Sequence, residues 1–288
     1  MKVYRSAAAF GQALAQVEAL RRLGLAFEVL GVAAAVRLEP LLEETRGDLA
    51  GAIHYPADET GDARLFCQAL RERLVQRGVQ VSLNCTARAL RVAAGQVAGV
   101  ETAAGFLPAS QVVLSAGPWS RRLLTPYGVA LAVRPVKGYS ISIAHVPQGL
   151  MPALALVDDS LHAVMTPLGA TLRLAGTAEF SGWDETLHPG RVQALWRLLH
   201  ALSPSLSRSV DRSAAQPWCG LRPMSADGKP YIGATSIAGL YVNTGHGHLG
   251  WTQAAGSACL LAQLITGAPA AIDPAPFAVA SGTRNRRS

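Results

Sequence analysis

The sequence contains few lysines and no dense basic stripe. Only three of its 26 basic residues are lysines, and the formal net charge is +7. The arginines are spread along the chain, with one dense cluster within residues 284–287. Because no aromatic residues alternate with a basic stripe, the pattern predicts no nucleic-acid partner. The positive charge suits an acidic membrane surface and an anionic substrate equally.

Cysteine motifs and long apolar runs are also missing. The four cysteines are scattered, with no C-x-x-C and no metal-ligand spacing. We therefore predict buried, reduced thiols in a cytoplasmic protein, and no metal site. No apolar run reaches the roughly 18 residues that a transmembrane helix needs. Lys2 and Arg5 are not followed by an unbroken apolar segment, which argues against a signal peptide.

A glycine-rich stretch from Gly239 to Thr252 is the most informative part of the sequence. The strand-like run 240–242 leads into glycines at 245, 247 and 250, and an Ala/Leu-rich helix is predicted over about 252–265. Glycine lets backbone N–H groups approach a ligand closely, and the start of a helix favours negative charge. The stretch therefore suits a phosphate or an electron-rich carbonyl.

The G-x-G-x-x-G spacing of this stretch leaves three interpretations. A dinucleotide fingerprint needs a second strand with an acidic residue about 20 residues on. The next acid, Asp273, lies in a segment broken by prolines, which does not suit a central strand. A turn required only for close packing is the second interpretation. We favour the third, a ligand-binding loop of another kind.

The order of predicted elements indicates a mixed α/β protein. Helices are predicted over 6–23, 63–77 and 189–202, and strands over 26–30, 79–83, 87–92, 97–102, 111–114, 131–133, 139–144, 154–157, 162–166, 171–179 and 231–232. Between 131 and 179 strands follow one another without helices, which predicts an antiparallel sheet. We predict an antiparallel-sheet domain from 1–50 and 128–213, and an α/β domain from 51–127 and 214–288.

Few side chains outside the glycine-rich stretch indicate chemistry. Arg222 is expected where a strand end meets a turn, and its planar guanidinium could hold a carboxylate or, equally, the carbonyls of that turn. For His246 and His248, hydrogen bonding within the turn is favoured over metal binding. No G-x-S-x-G motif or Ser-His-Asp order supports a hydrolase.

Six motifs occur in a specific order and spacing. They are YPADETGD (55–62), SAGPWS (115–120), PVKGYS (135–140), GTAEF (176–180), GLRPM (220–224) and NTGHG (243–247). Together they resemble the FAD-dependent D-amino-acid oxidase superfamily, most closely its bacterial D-amino-acid dehydrogenase branch of the small-subunit type. The resemblance covers essentially the whole chain. It implies a Rossmann-like FAD-binding α/β domain beside an antiparallel-sheet substrate domain.

The resemblance implies roles for individual residues. Loop 245–250 would face the pyrimidine edge of the flavin and stabilise negative charge there. Arg222 would bind the substrate carboxylate, and Tyr139 and His162 would line the substrate side of the sheet. The implied cofactor-binding residues are Thr86 and Ala87 near the adenosine, Ala116 and Gly117 near the middle of FAD, and Gly245, His246, Gly247, His248, Leu249 and Gly250 at the flavin.

The implied reaction is the oxidative deamination of a D-amino acid to a 2-oxo acid and ammonia. Electrons would pass to a quinone or to another protein, so we expect a cytoplasmic protein with peripheral contact to the inner face of the cell membrane. One alternative is the oxidation of glycine, sarcosine or proline by the same fold. Another is a non-catalytic remnant or a subunit that depends on a partner.

The chain departs from the family pattern in three places. The family begins with a strand–G-x-G-x-x-G–helix unit that grips the FAD pyrophosphate, and this chain has none. We therefore expect an N-terminally truncated member that holds FAD poorly alone and forms oligomers through exposed apolar surface. Ser225-Ala226 replaces the usual Thr-Pro, and His248 replaces the usual Thr.

Overall fold

The computed structural model describes residues 1–279. Its α-helices are Ala7–Arg22 (α1), Val32–Leu38 (α2), Ala63–Gln76 (α3), Ser120–Leu124 (α4), Pro189–Leu202 (α5), Pro204–Ser209 (α6) and Gly250–Thr266 (α7). Its strands are Lys2–Tyr4 (β1), Glu28–Leu30 (β2), Gly51–His54 (β3), Ala87–Ala93 (β4), Gln96–Thr102 (β5), Gly105–Pro108 (β6), Val112–Leu114 (β7), Val133–Ile143 (β8), Leu156–Asp158 (β9), Ala163–Leu168 (β10), Thr171–Glu179 (β11), Gln216–Ser225 (β12), Tyr231–Ala234 (β13) and Leu240–Thr244 (β14). The arginine cluster within 284–287 lies outside the described residues.

The described chain divides into two compact units. The first comprises Met1–Phe66, Lys137–Glu179 and Asp184–Gly220. The second comprises Cys67–Val136, Phe180–Trp183 and the described chain from Leu221 onward. The chain therefore passes between the units within α3, β8 and β12, and on either side of residues 180–183. The assignment of substrate binding to one part and flavin binding to the other stays a prediction.

An eight-stranded sheet runs in the order β12-β8-β11-β10-β9-β1-β3-β2. Strands β8, β11, β10 and β9 pair antiparallel in succession, as predicted for this region. The β1–β9 pair is parallel, and β3 and β2 follow in antiparallel register. In the first unit, fully buried Ile141, Met165 and Leu174 of the sheet share a core with Leu195 and Leu198 of α5. Burial on this scale is what fixes the register of the sheet.

Strand β8 is longer than predicted. Two strands, 131–133 and 139–144, were expected with a turn between them, but one unbroken strand spans Val133–Ile143. Pro135 and Gly138 suggested the turn. Residues 135–141 are all buried, so packing on both faces keeps this segment extended despite its proline and glycine.

Local capping explains how two of the helices begin. Ser6 has extended backbone angles, and its side chain accepts a hydrogen bond from the N–H three residues on, which starts α1 as predicted. Ser203 does the same for α6, a helix that was not among the predicted elements. Pro204 follows at the first helical position, where it costs no backbone hydrogen bond.

The second unit contains two small sheets. Strands β4, β5 and β6 form an antiparallel meander, and β13, β14 and β7 form a second sheet in which β14 and β7 are parallel. The predicted strand over 79–83 was wrong. Among the described residues no strand pairs with this segment, and Val79, Val81 and Leu83 are exposed.

The four cysteines are free thiols, but the prediction that they are buried was wrong. Cys67 of α3 and Cys259 of α7 are exposed, and Cys85 and Cys219 are half-buried. Within residues 1–279, no helix combines the length and the hydropathy that a membrane span needs.

Candidate functional site

The glycine-rich loop joins β14 to α7 through backbone conformations that favour glycine. Gly245 has φ +88° and Gly247 has φ +59°. A Cβ at Gly245 would lie 3.2 Å from Cδ2 of Tyr231, and one at Gly247 would lie 2.8 Å from Sδ of Met224. The positive φ therefore favours glycine at both positions, and a Cβ would also press on these two neighbours. A short 3-10 helix, Gly247–Leu249, then leads into α7.

The turn after β7 and the loop after β14 lie at the same edge of the second unit's sheet. Because β7 and β14 are parallel, their carboxyl ends meet there. The Thr244 hydroxyl donates to the Gly117 carbonyl at 3.0 Å and accepts from Ser120 Oγ at 3.3 Å. The structure thus brings the predicted cofactor residues Ala116 and Gly117 to the base of the 245–250 loop.

His246 connects the loop to α7. Its Nε2 lies 2.9 Å from Oγ of Ser257, one of the buried residues of that helix. Burial lowers the pKa of His246, which favours the neutral imidazole at neutral pH. His248 and Leu249 point their side chains to solvent. The observed bond of His246 joins the loop to α7, whereas the sequence favoured a bond within the turn.

Arg222 lies within β12, and the expected turn directly after it was wrong. The strand continues through Pro223 to Ser225 because Met224 forms an antiparallel bridge with His246. Arg222 is half-buried, and this burial lowers its pKa. A guanidinium keeps its charge even so. The bridge places the Arg222 strand beside the glycine-rich loop within one unit.

Thr86 and Ala87 lie at the start of the meander. The Thr86 carbonyl accepts from the Ala103 N–H at 3.1 Å, and Ala87 pairs with Thr102 of β5. Both side chains are exposed. Their predicted contact with the adenosine end of a cofactor stays a prediction.

Tyr139 and His162, the two residues predicted on the substrate side, lie in the first unit. Tyr139 is 1% exposed and its hydroxyl donates to Oε2 of Glu179 at 2.6 Å. Burial raises the pKa of Tyr139, and the bond from Tyr139 lowers the pKa of Glu179. His162 is exposed, with φ +48°, between β9 and β10. The register places Tyr139 opposite Gly176, which in turn pairs with Ala163, the neighbour of His162. The roles of Tyr139 and His162 stay predictions.

A buried lysine adjoins Tyr139. Lys137 is fully buried, and its Nζ donates to Oδ2 of Asp184 at 2.7 Å and to the Thr186 carbonyl at 3.0 Å. Burial disfavours the charge of Lys137, but its interactions with Asp184 and Tyr139 more than compensate and raise its pKa. The bond from Lys137 lowers the pKa of Asp184. The candidate residues drawn from the sequence did not include this ion pair.

A β-bulge places Glu179 in this cluster. Gly176 pairs with Tyr139 and Glu179 pairs with Lys137. The chain advances three residues on β11 but only two on β8, so β11 has one extra residue here. Thr177, within the bulge, has φ +66°. An extra residue turns the following side chain towards the opposite face. The bulge lies within the GTAEF motif, but the motif alone does not predict a bulge.

Comparison with known proteins places the chain in a family. The model of the DAO family, described as FAD dependent oxidoreductase, matches residues 1–264. The chain belongs to the FAD-dependent oxidoreductase family DAO. This agrees with the resemblance that the six motifs indicated.

Curated relatives in this family are named D-amino acid dehydrogenase. The chain is 43% identical over 249 residues to one from Methylobacterium nodulans, which covers 86% of this chain and 58% of the relative. It is 39% identical over 263 residues to one from Bradyrhizobium diazoefficiens, which covers 91% of this chain and 62% of the relative. The chain thus spans about three fifths of the length of these relatives.

Solved structures share the fold. Glycine oxidase from Geobacillus kaustophilus superposes with a TM-score of 0.88 at 25% identity, over 98% of this chain and 74% of that one. L-proline dehydrogenase from P. horikoshii superposes with a TM-score of 0.85 at 15% identity, over 96% of this chain and 74% of that one. The mixed α/β prediction with a D-amino-acid oxidase-like fold is confirmed.

The residues around the loop fit a flavin ring. In the described chain, three buried polar atoms there have no hydrogen-bond partner: Ser225 Oγ, Asn243 Oδ1 and Gln253 Oε1. They belong to the end of β12, to β14 and to the first turn of α7. The pyrimidine edge of a flavin carries both donors and acceptors, which such atoms satisfy. The described residues contain no group of three or more side chains suited to hold a metal ion.

Proposed function

We propose that the protein oxidises D-amino acids with FAD, giving 2-oxo acids and ammonia. The observation that best supports this proposal is the antiparallel bridge between Met224 and His246, which places the Arg222 strand beside the glycine-rich loop. A carboxylate-binding cation beside a loop with flavin-compatible atoms is what such a reaction requires. The relatives named D-amino acid dehydrogenase support this choice of substrate.

In this proposal Arg222 binds and orients the substrate carboxylate. A guanidinium fork makes two parallel hydrogen bonds to a carboxylate, which fixes the direction of the α-carbon as well as its distance. Partial burial of Arg222 strengthens these bonds because less water competes for them.

The loop residues Gly245, Gly247 and Gly250 present backbone N–H groups at the start of α7, where the helix contributes positive potential. FAD, when bound here, would supply the hydride acceptor that oxidation of the substrate α-carbon requires. His246 is uncharged, so the stabilisation of negative charge falls to the N–H groups and the helix. Ala116 and Gly117 adjoin the base of the loop and line the path of the cofactor in this proposal.

Tyr139 contributes a buried ring rather than a free hydroxyl. Its O–H is already donated to Glu179, which Lys137 also approaches at 3.5 Å. We expect this network to keep β8 and β11 in fixed positions on the substrate side, together with His162. In this proposal the electrons pass on to a quinone or to an acceptor protein. Transfer to a membrane quinone requires that the protein contact the cytoplasmic face of the membrane peripherally.

The test is the substrate preference of an FAD-loaded protein. A strand–G-x-G-x-x-G–helix unit of the kind that the family resemblance implies is fused before Met1, FAD is added, and reduction of an electron-accepting dye is followed. We expect turnover with D-alanine and none with L-alanine. Glycine, sarcosine and proline are run in parallel, because the likeness to glycine oxidase favours glycine as the second candidate. Turnover of glycine without D-alanine would replace the proposed function by that candidate.

A further inference from the structure

A cavity of about 130 Å³ in the second unit is lined by three arginines. Arg121 and Arg122 come from α4, and Arg134 comes from β8. Trp183 and the buried Pro118 and Val133 also line the cavity. None of these residues belongs to the 245–250 loop, and the proposed function assigns none of them a role.

Within residues 1–279, no acidic side chain forms an ion pair with the three arginines of this cavity. Six other arginines of the described chain form ion pairs, but Arg121, Arg122 and Arg134 form none. Three cations on one small cavity repel one another, and a bound anion relieves that repulsion. A cavity that served packing alone would gain nothing from a third guanidinium.

Two of the three guanidinium groups are held in place. The Arg122 Cζ lies 3.6 Å from the ring centroid of Trp183, and the Trp183 ring lies 5.4 Å from that of Trp119. Such stacking leaves the edge N–H donors of the guanidinium open to a ligand. The guanidinium of Arg134 donates from Nη1 to the Val133 carbonyl at 3.2 Å, which restricts its position near the start of β8. Donors held in advance lose less entropy when an anion binds.

We infer that this cavity binds a phosphate group. A phosphate offers three acceptor oxygens and up to two negative charges, which match three guanidinium groups better than a monoanionic carboxylate does. Two sources share this chemistry: a soluble phosphate monoester and a phospholipid headgroup that ends in a phosphate monoester. The binding surface is open enough for either, because all three arginines are exposed.

Isothermal titration of the full 288-residue chain with inorganic phosphate tests the inference. We expect saturable binding that weakens about tenfold or more in Arg121→Gln and in Arg122→Gln, since each removes one charge-assisted interaction. Arg122→Lys keeps the charge but loses the fork, so an intermediate loss is expected. Arg88→Gln is the matched control, because Arg88 is an exposed arginine of the same unit outside the cavity. Thermal unfolding of each variant confirms folding.

The two sources are separated by further ligands. ADP serves as the soluble monoester, and vesicles of phosphatidic acid in phosphatidylcholine serve as the membrane. Binding of ADP that Arg121→Gln abolishes, without vesicle binding, assigns a soluble ester, because ADP bound at the predicted adenosine site would not depend on Arg121. Vesicle binding that Arg121→Gln abolishes assigns a headgroup. The inference is overturned if phosphate does not bind, if acetate binds as tightly as phosphate, or if Arg88→Gln weakens binding as much as the cavity variants.

Discussion

At the scale of single residues, Gly245 shows how the loop depends on glycine. We predict that Gly245→Ala lowers the free energy of unfolding by about 1–2 kcal/mol, because alanine is strained at positive φ and its Cβ would crowd Tyr231. Gly256→Ala is the control within the same segment, since it lies in α7 with open space around it. It should stabilise the protein by about 0.5–1 kcal/mol. Urea unfolding measures both, and equal effects would contradict the loop geometry.

The buried imidazole of His246 predicts a pH effect on stability. Its pKa in the folded protein is lowered by burial, so below about pH 6.5 the unfolded chain takes up a proton that the folded chain resists. The contribution of His246 to stability is therefore complete above that pH and is lost as the pH falls. His246→Gln should lose less stability than the parent between pH 7.5 and 5.5. His145→Gln, an exposed control, should behave as the parent does.

The contact between Lys137 and Glu179 could not be predicted from the sequence. Both stand in motifs that carried the family resemblance, yet their pairing depends on a bulge in β11 and on complete burial of the lysine. A lysine in a run of small and apolar residues reads equally well as an exposed turn residue. Only the register of β8 against β11 decides between these possibilities.

At the scale of elements, α3 is a helix with none of its residues buried. Leu70 and Leu74, one turn apart, are 47% and 37% exposed. Because apolar surface of this kind drives association, we predict that the chain forms oligomers in a concentration-dependent way. Leu70→Glu should shift sedimentation towards monomer, whereas Leu107→Glu on β6 should not. A monomer at all concentrations for the parent chain would contradict this prediction.

Elements with strong local signals were predicted closely, and those decided by packing were not. The Pro189–Leu202 helix was located at both ends, since a proline opens it and an apolar stripe continues through it. The Val133–Ile143 strand was divided in error because buried neighbours, absent from a local pattern, hold it extended. The 79–83 segment has strand-like composition, but composition does not supply a pairing partner.

At the scale of the whole molecule, the order of the motifs predicted the family from sequence. What they could not supply is which segments meet. The parallel pairing of β7 with β14 brings residues 116–117 to the loop, and the Met224–His246 bridge brings the Arg222 strand there. Both contacts join segments distant in the chain, so no local pattern reports them.

The measurement that tests the central claim most directly is anaerobic reduction of the FAD-loaded fusion protein by D-alanine, followed by loss of the ~450 nm flavin band. Arg222→Lys should reduce the rate at low substrate clearly but incompletely. Arg222→Ala should lose about 3–5 kcal/mol of transition-state binding, or about two to four powers of ten in kcat/KM, with an unchanged flavin spectrum before substrate is added. Arg88→Ala should match the parent. Reduction of Arg222→Ala at the parent rate would contradict the proposed carboxylate site and, with it, the proposed function of this loop and strand.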